Sequence, residues 1–165
     1  MPVTENANDR SYLQESVLKG ETADNWSQML TVTGARGAAL RPDRTPENVA
    51  GYFANQYKSH CPESHSAADL GSADGEPSNT RVLVLSCGTV PGSTVPHREA
   101  MLLIVLKGRE DYYTVQWATR GPAQATPVEL SRGEWMERWR RLQPIKLCDP
   151  VPGESPPYPS CLSGK

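Results

Sequence analysis

Two segments decide the fold: EAMLLIVLKG at residues 99–108 and DYYTVQWATRG at residues 111–121, joined by the turn Lys107-Gly108-Arg109-Glu110. The first is a continuous apolar run of strand length. The second alternates, with Tyr113, Val115 and Trp117 on one side and Tyr112, Thr114 and Gln116 on the other. Two such runs around a Gly-containing turn predict an antiparallel hairpin.

Working outward, TRVLVLSC at 80–87 is a continuous β-branched and leucine run typical of a buried central strand. WSQMLTVTG at 26–34 alternates, with Trp26, Gln28, Leu30 and Val32 on one side and Met29 and Thr31 on the other. SYLQESVLKG at 11–20 is read as a further strand, followed by a turn over 20–25 and, after the second strand, a loop over 35–43. Helix signals open two segments. In TPENVAGYFANQYKSH at 45–60, Thr45 can cap the helix, Pro46 suits its first position, and Glu47 complements the dipole. There Val49, Tyr52, Phe53, Gln56 and Tyr57 form the expected stripe, and Pro62 ends it. In SRGEWMERWRRLQ at 131–143, Ser131 and Glu134 have capping-box spacing, with Trp135, Met136, Trp139 and Leu142 as the apolar stripe. The segments 62–79, 88–97 and 122–130 read as polar or Gly/Pro-rich connections. The expected architecture is α+β: a curved antiparallel β-sheet with two main helices packed on it. Residues 1–10 are expected to be a flexible lead-in, 11–149 one domain, and 150–165 a Pro-rich tail.

The 13 glycines and 15 prolines make about 17% of the chain, against roughly 12% in typical usage. A formal net charge of −2 gives the whole molecule no field that would draw it to nucleic acid or anionic lipid. No apolar run approaches the ~18 residues that span a bilayer. MPVTENANDR carries neither a basic cluster nor an apolar stretch and is not a secretory signal, so an exported form would have its leader missing from this chain.

The four cysteines, Cys61, Cys87, Cys148 and Cys161, include no Cys-x-x-Cys pair. That spacing fits a disulfide framework better than a zinc ribbon. Three pairings are open, and the nearest partners, Cys61 with Cys87 and Cys148 with Cys161, are favoured. The first would tie a helix end to a strand end. The second would close CDPVPGESPPYPSC, whose prolines forbid helix. Structural bridges would place the protein in the periplasm or the extracellular space. Two rivals use the same residues. His60, Cys61 and His65, with a fourth ligand from Cys87, His97 or an acidic loop residue, are metal-ligand types, although His60 and Cys61 are adjacent and diverge in most backbone conformations. Cys87 with His97 as base, oriented by Glu99, has the composition of a thiol nucleophile, but a bridged Cys87 has no thiol to offer.

The sequence contains no P-loop, no G-x-S-x-G elbow, no H-E-x-x-H and no Rossmann fingerprint. ERWRRLQPIK at 137–146 sets Arg138, Arg140, Arg141 and Lys146 around Trp139, a composition that can hold phosphate or RNA. The simpler reading is a helix C-terminus complemented by cations, with Trp139 in the buried stripe. Trp26, Tyr112, Tyr113 and Trp117 are candidates for a shallow ligand or partner surface. No metal or cofactor is expected.

NWSQMLTVTG, the helix ending in HC, LVLSC and REAMLLIVLKGREDYYTVQWATRG together resemble small exported bacterial proteins of unknown function. The resemblance spans residues 12–149. It rests on a W-x-x-M-x-T-V element (Trp26, Met29), the middle cysteines Cys61 and Cys87, and a Y-x-V-Q-x-A strand (Tyr113, Val115, Gln116, Ala118). It implies export and no established activity. In element order the chain is also similar to the PsbP-like fold, a sheet between helices, which transfers no function. The function expected is a non-enzymatic exported binding domain with a protein or cell-envelope partner. The alternatives are a thiol- or metal-dependent hydrolase using Cys87 and His97, and an intracellular adaptor or immunity-type protein with reduced cysteines.

Overall fold

A computed structural model describes residues 1–72, 79–148, 151–154 and 159–162, with 161 and 162 by backbone alone. Seven strands, β1 (Pro2–Ala7), β2 (Ser11–Val17), β3 (Gln28–Ala35), β4 (His65–Gly71), β5 (Thr80–Cys87), β6 (His97–Lys107) and β7 (Tyr112–Pro122), form one open sheet in the order β1-β2-β3-β7-β6-β5-β4. Every neighbouring pair is antiparallel. The main helices are α1 (Pro46–His60) and α2 (Arg132–Leu142), with a 3-10 turn at Ala38–Leu40 and a four-residue α3 (Pro159–Leu162). The chain is α+β, as its patterning implies.

The β6–β7 hairpin is the centre. Because successive side chains point to opposite faces, the unbroken run of β6 feeds two cores at once. Met101, Leu103 and Val105 pack with Leu85 and with Val49, Ala50, Phe53, Ala54 and Tyr57 of α1. Leu102, Ile104 and Leu106 pack with Val82, Val84 and, from α2, Trp135, Met136 and Trp139. One helix therefore sits on each face.

Both helix starts follow their sequence signals. Thr45 Oγ1 accepts the Asn48 N–H at 3.2 Å, and Ser131 Oγ accepts the Glu134 N–H at 3.5 Å. The α1 stripe is displaced from the expected one. Ala50 is its most buried member, while Tyr52 and Gln56 are exposed. The small side chains Ala50 and Ala54 bring the helix close to the sheet, which rotates Tyr52 off the contact.

Two strands lie where none was expected. Residues 1–10 contribute β1, held by a tight turn in which Asn8 Oδ1 accepts the N–H groups of Arg10 and Ser11 at 2.8 and 2.9 Å. The Met1 ammonium donates to the Val17 carbonyl at 2.7 Å, fastening the other end. The Asn-Asp pair at 8–9 was the available turn signal. β4 arises within the supposed loop 62–79. It is an edge strand with only Leu70 fully in the core, so its alternation is faint. Arg132 donates to the Asp69 and Leu70 carbonyls at 2.8 and 3.5 Å, occupying edge acceptors that would otherwise be left to solvent. Trp26 also departs from its expected side. It precedes β3, so strand alternation does not govern it, and it packs with Met29 on the α1 face.

β5 is followed by Gly88, where the segment after β7 crosses. The Gly88 N–H donates to the Ser64 carbonyl at 3.0 Å, and its own carbonyl accepts the Gln124 N–H at 2.9 Å. A Cβ at 88 would stand 2.5 Å from the carbonyl oxygens of both Gln124 and Thr126. Backbone on two sides cannot yield cheaply. Gly88→Ala is expected to cost about 1–3 kcal/mol, read as a lower urea midpoint at unchanged slope. An unmoved midpoint would mean the crossing segment is not this close.

Candidate functional site

α1 packs on β4, β5 and β6. Beside it, where the same face of the sheet continues onto β7 and β3, lies a cleft of about 540 Å³. That volume falls within the range of small-molecule sites. The helix wall is Asn48, Val49, Tyr52 and Phe53; the floor is Thr33, Ala35, Tyr112 and Thr114; the end wall is Ala38, Asp43 and Arg44.

The end wall is anchored to the hairpin turn. Asp111 Oδ1 accepts the Gly37 N–H at 2.7 Å, and the Glu110 carbonyl accepts the Ala39 N–H at 2.9 Å. Gly37 takes a left-handed φ of 69°, which favours glycine there. The Tyr112 hydroxyl donates to the Arg44 carbonyl at 2.6 Å, and Asn48 Nδ2 donates to the Asp43 carbonyl at 2.8 Å. Sheet, loop and helix are thus linked around the opening.

The floor is neutral. Thr33 and Thr114 share a hydrogen bond at 2.7 Å, and Gln116 Nε2 donates to Thr114 Oγ1 at 2.9 Å. Burial, and then the nearby Glu47 carboxylate, push the Tyr112 hydroxyl above its ordinary pKa, so it stays protonated. Among the described residues, the ionised side chains on the walls are Asp43 and Arg44, of opposite sign. Asp43 is also paired with Arg41 at 3.3 Å. Tyr52 stands at the mouth, 62% exposed, its ring edge-on to Phe53 with centroids 6.0 Å apart.

Of the four aromatic candidates, only Tyr112 lines this cleft. Trp26 lies on the same face but in a different hollow, with the Arg120 guanidinium stacked 3.7 Å from its ring centroid. Tyr113 and Trp117 pack in the α2-side core, as the alternation of β7 requires. Trp117 Nε1 donates to Gln28 Oε1 at 3.0 Å. The four do not form one surface.

Cys61 and Cys87 are bonded to each other, with Cα atoms 5.7 Å apart, joining the end of α1 to the end of β5. Cys148 is also in a disulfide. The expected Cys148–Cys161 pairing involves a side chain outside the described residues, as does much of the tail. His97 is left without a thiol to activate. Its Nδ1 meets the Val95 carbonyl at 2.9 Å, while Glu99 accepts from the Tyr57 hydroxyl at 3.1 Å and pairs with Arg120 at 3.8 Å. Next to that carboxylate, and buried, Tyr57 is held far above the ordinary phenol pKa, chiefly by burial. His60 and His65 meet the carbonyls of Gln56 and Pro62 through Nδ1. Among the described residues, no three His, Cys, Asp or Glu side chains are grouped to hold a metal ion.

The Arg-rich end of α2 is engaged locally. Arg138 lies over Trp135 at 4.7 Å and Trp117 at 5.3 Å, and Arg141 lies over Trp117 at 5.2 Å. Arg138 pairs with Glu134 and Arg140 with Glu137. No helix among the described residues is long and apolar enough to cross a membrane.

Fold and cleft together define a disulfide-stapled α+β domain, with a helix on each face of an antiparallel sheet and a recess with a neutral floor beside the first helix. No family model matches the chain, and no curated protein matches it.

Proposed function

We propose that this chain is a non-enzymatic, exported binding domain of the periplasm or the extracellular space, and that its cleft between α1 and the β3–β7 surface receives part of a protein or cell-envelope partner. The Cys61–Cys87 bridge carries the reading. A disulfide between a helix end and a strand end belongs with an oxidising compartment. It also takes away the sulfur that a Cys87–His97 hydrolase would need. An intracellular adaptor or immunity-type protein would keep these thiols reduced.

The cleft suits binding more than chemistry. Its hydroxyls and amides are hydrogen-bonded and neutral, and its loop wall is fastened at several points, so a ligand meets a preformed surface. The kinship with small exported bacterial proteins, and the likeness in element order to the PsbP-like fold, are part of this proposal.

Thiol counting of the unreduced, unfolded chain tests the compartment, with no reactive thiol expected; four reactive thiols would overturn it. For binding, a partner captured from an envelope extract by the wild-type chain should be lost by a folded Tyr52→Arg variant. Equal capture by both would remove the cleft from the interface.

A further inference from the structure

The floor of the cleft holds one more hydrogen-bond donor than its own groups can use. Thr33 and Thr114 bring two hydroxyl protons, and only one can lie in the 2.7 Å contact between them. Gln116 Nε2 already donates to Thr114 Oγ1, so it absorbs neither proton. Among the described residues neither hydroxyl makes another hydrogen bond. Thr114 is only 5% exposed, whereas Thr33 is half-buried in the cleft lining, so the surplus proton is left to whatever occupies the cleft, water or a ligand. Turning the Gln116 amide over would move the surplus donor to that amide, the next residue on the same face of β7, without removing it.

The surroundings restrict what can accept that proton. Val49 and Phe53 of the helix wall and Ala35 of the floor give the cleft an apolar lining. Desolvating an ion against such a lining is costly, and Asp43 and Arg44 cancel rather than select a sign.

We propose, building on the binding reading above, that the cleft is a site for an uncharged ligand joining an aromatic or branched aliphatic body to a carbonyl or ether oxygen. The body lies between Phe53, Val49 and Ala35, and the oxygen accepts from the Thr33–Thr114 pair. One apolar group and one acceptor then satisfy both halves of the recess.

The test uses the full oxidised, isotope-labelled chain, titrated in separate NMR experiments with N-acetyl-phenylalaninamide, with the N-acetyl-phenylalanine carboxylate and with benzene. The neutral amide is expected to perturb amide signals at Thr33, Ala35, Phe53 and Thr114, at least tenfold more tightly than the carboxylate or benzene. Thr33→Val with Thr114→Val should remove the advantage over benzene and leave benzene binding unaffected, while Thr33→Ser with Thr114→Ser should retain it. Dispersed spectra of each variant confirm folding. Perturbation by none of the probes, or equal affinity for all three, overturns the proposal. A partner captured in a Tyr52-dependent way together with no preference for the amide would sink this ligand class and leave the binding reading standing. Loss of both would sink the two together.

Discussion

Truncating Leu103 to alanine should destabilise the protein by about 3–5 kcal/mol, the range for deleting a wholly buried leucine from a core that cannot close around the gap. Leu103 is 0% exposed and lies on β6, the strand flanked by β5 and β7 at the middle of the core. Its neighbours on that face include Leu85 and Met101 from the sheet and Ala50 and Phe53 from α1. Paired strands on both sides hold the backbone, so relaxation is limited to side chains. Small domains have only about 5–15 kcal/mol in total, so the variant should be near the edge of folding at 37 °C. Urea unfolding followed by tryptophan fluorescence measures the change, and a loss under about 1 kcal/mol would contradict so central a position. The same change at Leu106, nearer the end of the strand, should cost less.

Reducing the Cys61–Cys87 bridge, or replacing both residues by serine, is the other large effect. The chain-entropy model assigns about 3.5 kcal/mol to a link across the 26-residue separation. The loss should appear in urea unfolding of Cys61→Ser with Cys87→Ser relative to wild type, as a lower midpoint. The helix end it anchors lies far along α1 from the cleft, which is formed by the first two turns. The probe titrations should therefore survive the bridge's removal wherever the chain remains folded. A bridge-free protein of undiminished stability would show that β4–β5 pairing alone holds the end of α1.

Strong local signals were read at the right places. The runs at 80–87 and 99–108 are strands because their side chains are apolar on both faces, and the caps at Thr45 and Ser131 start helices because their oxygens meet orphan N–H groups. The weak elements were missed for a common reason. β1 and β4 are the two edges of the sheet, each with a single neighbour and few core residues, so their composition looks like loop. The aromatic candidates misled in another way. Adjacent residues such as Tyr112 and Tyr113 must face opposite ways on a strand, and a cluster in sequence is split by the sheet.

By itself the sequence determined the central hairpin and the two helix starts, because each is written in residues close along the chain; it left three cysteine pairings open, and the fold joins Cys61 to Cys87. The cleft was decided only in three dimensions. Thr33 and Thr114 are 81 residues apart and meet because β3 pairs with β7 in a register that sets them opposite each other. Tyr52 stands at its mouth because two alanines let α1 turn toward the sheet. Cross-strand register and helix rotation depend on how distant surfaces pack, and no local period encodes them.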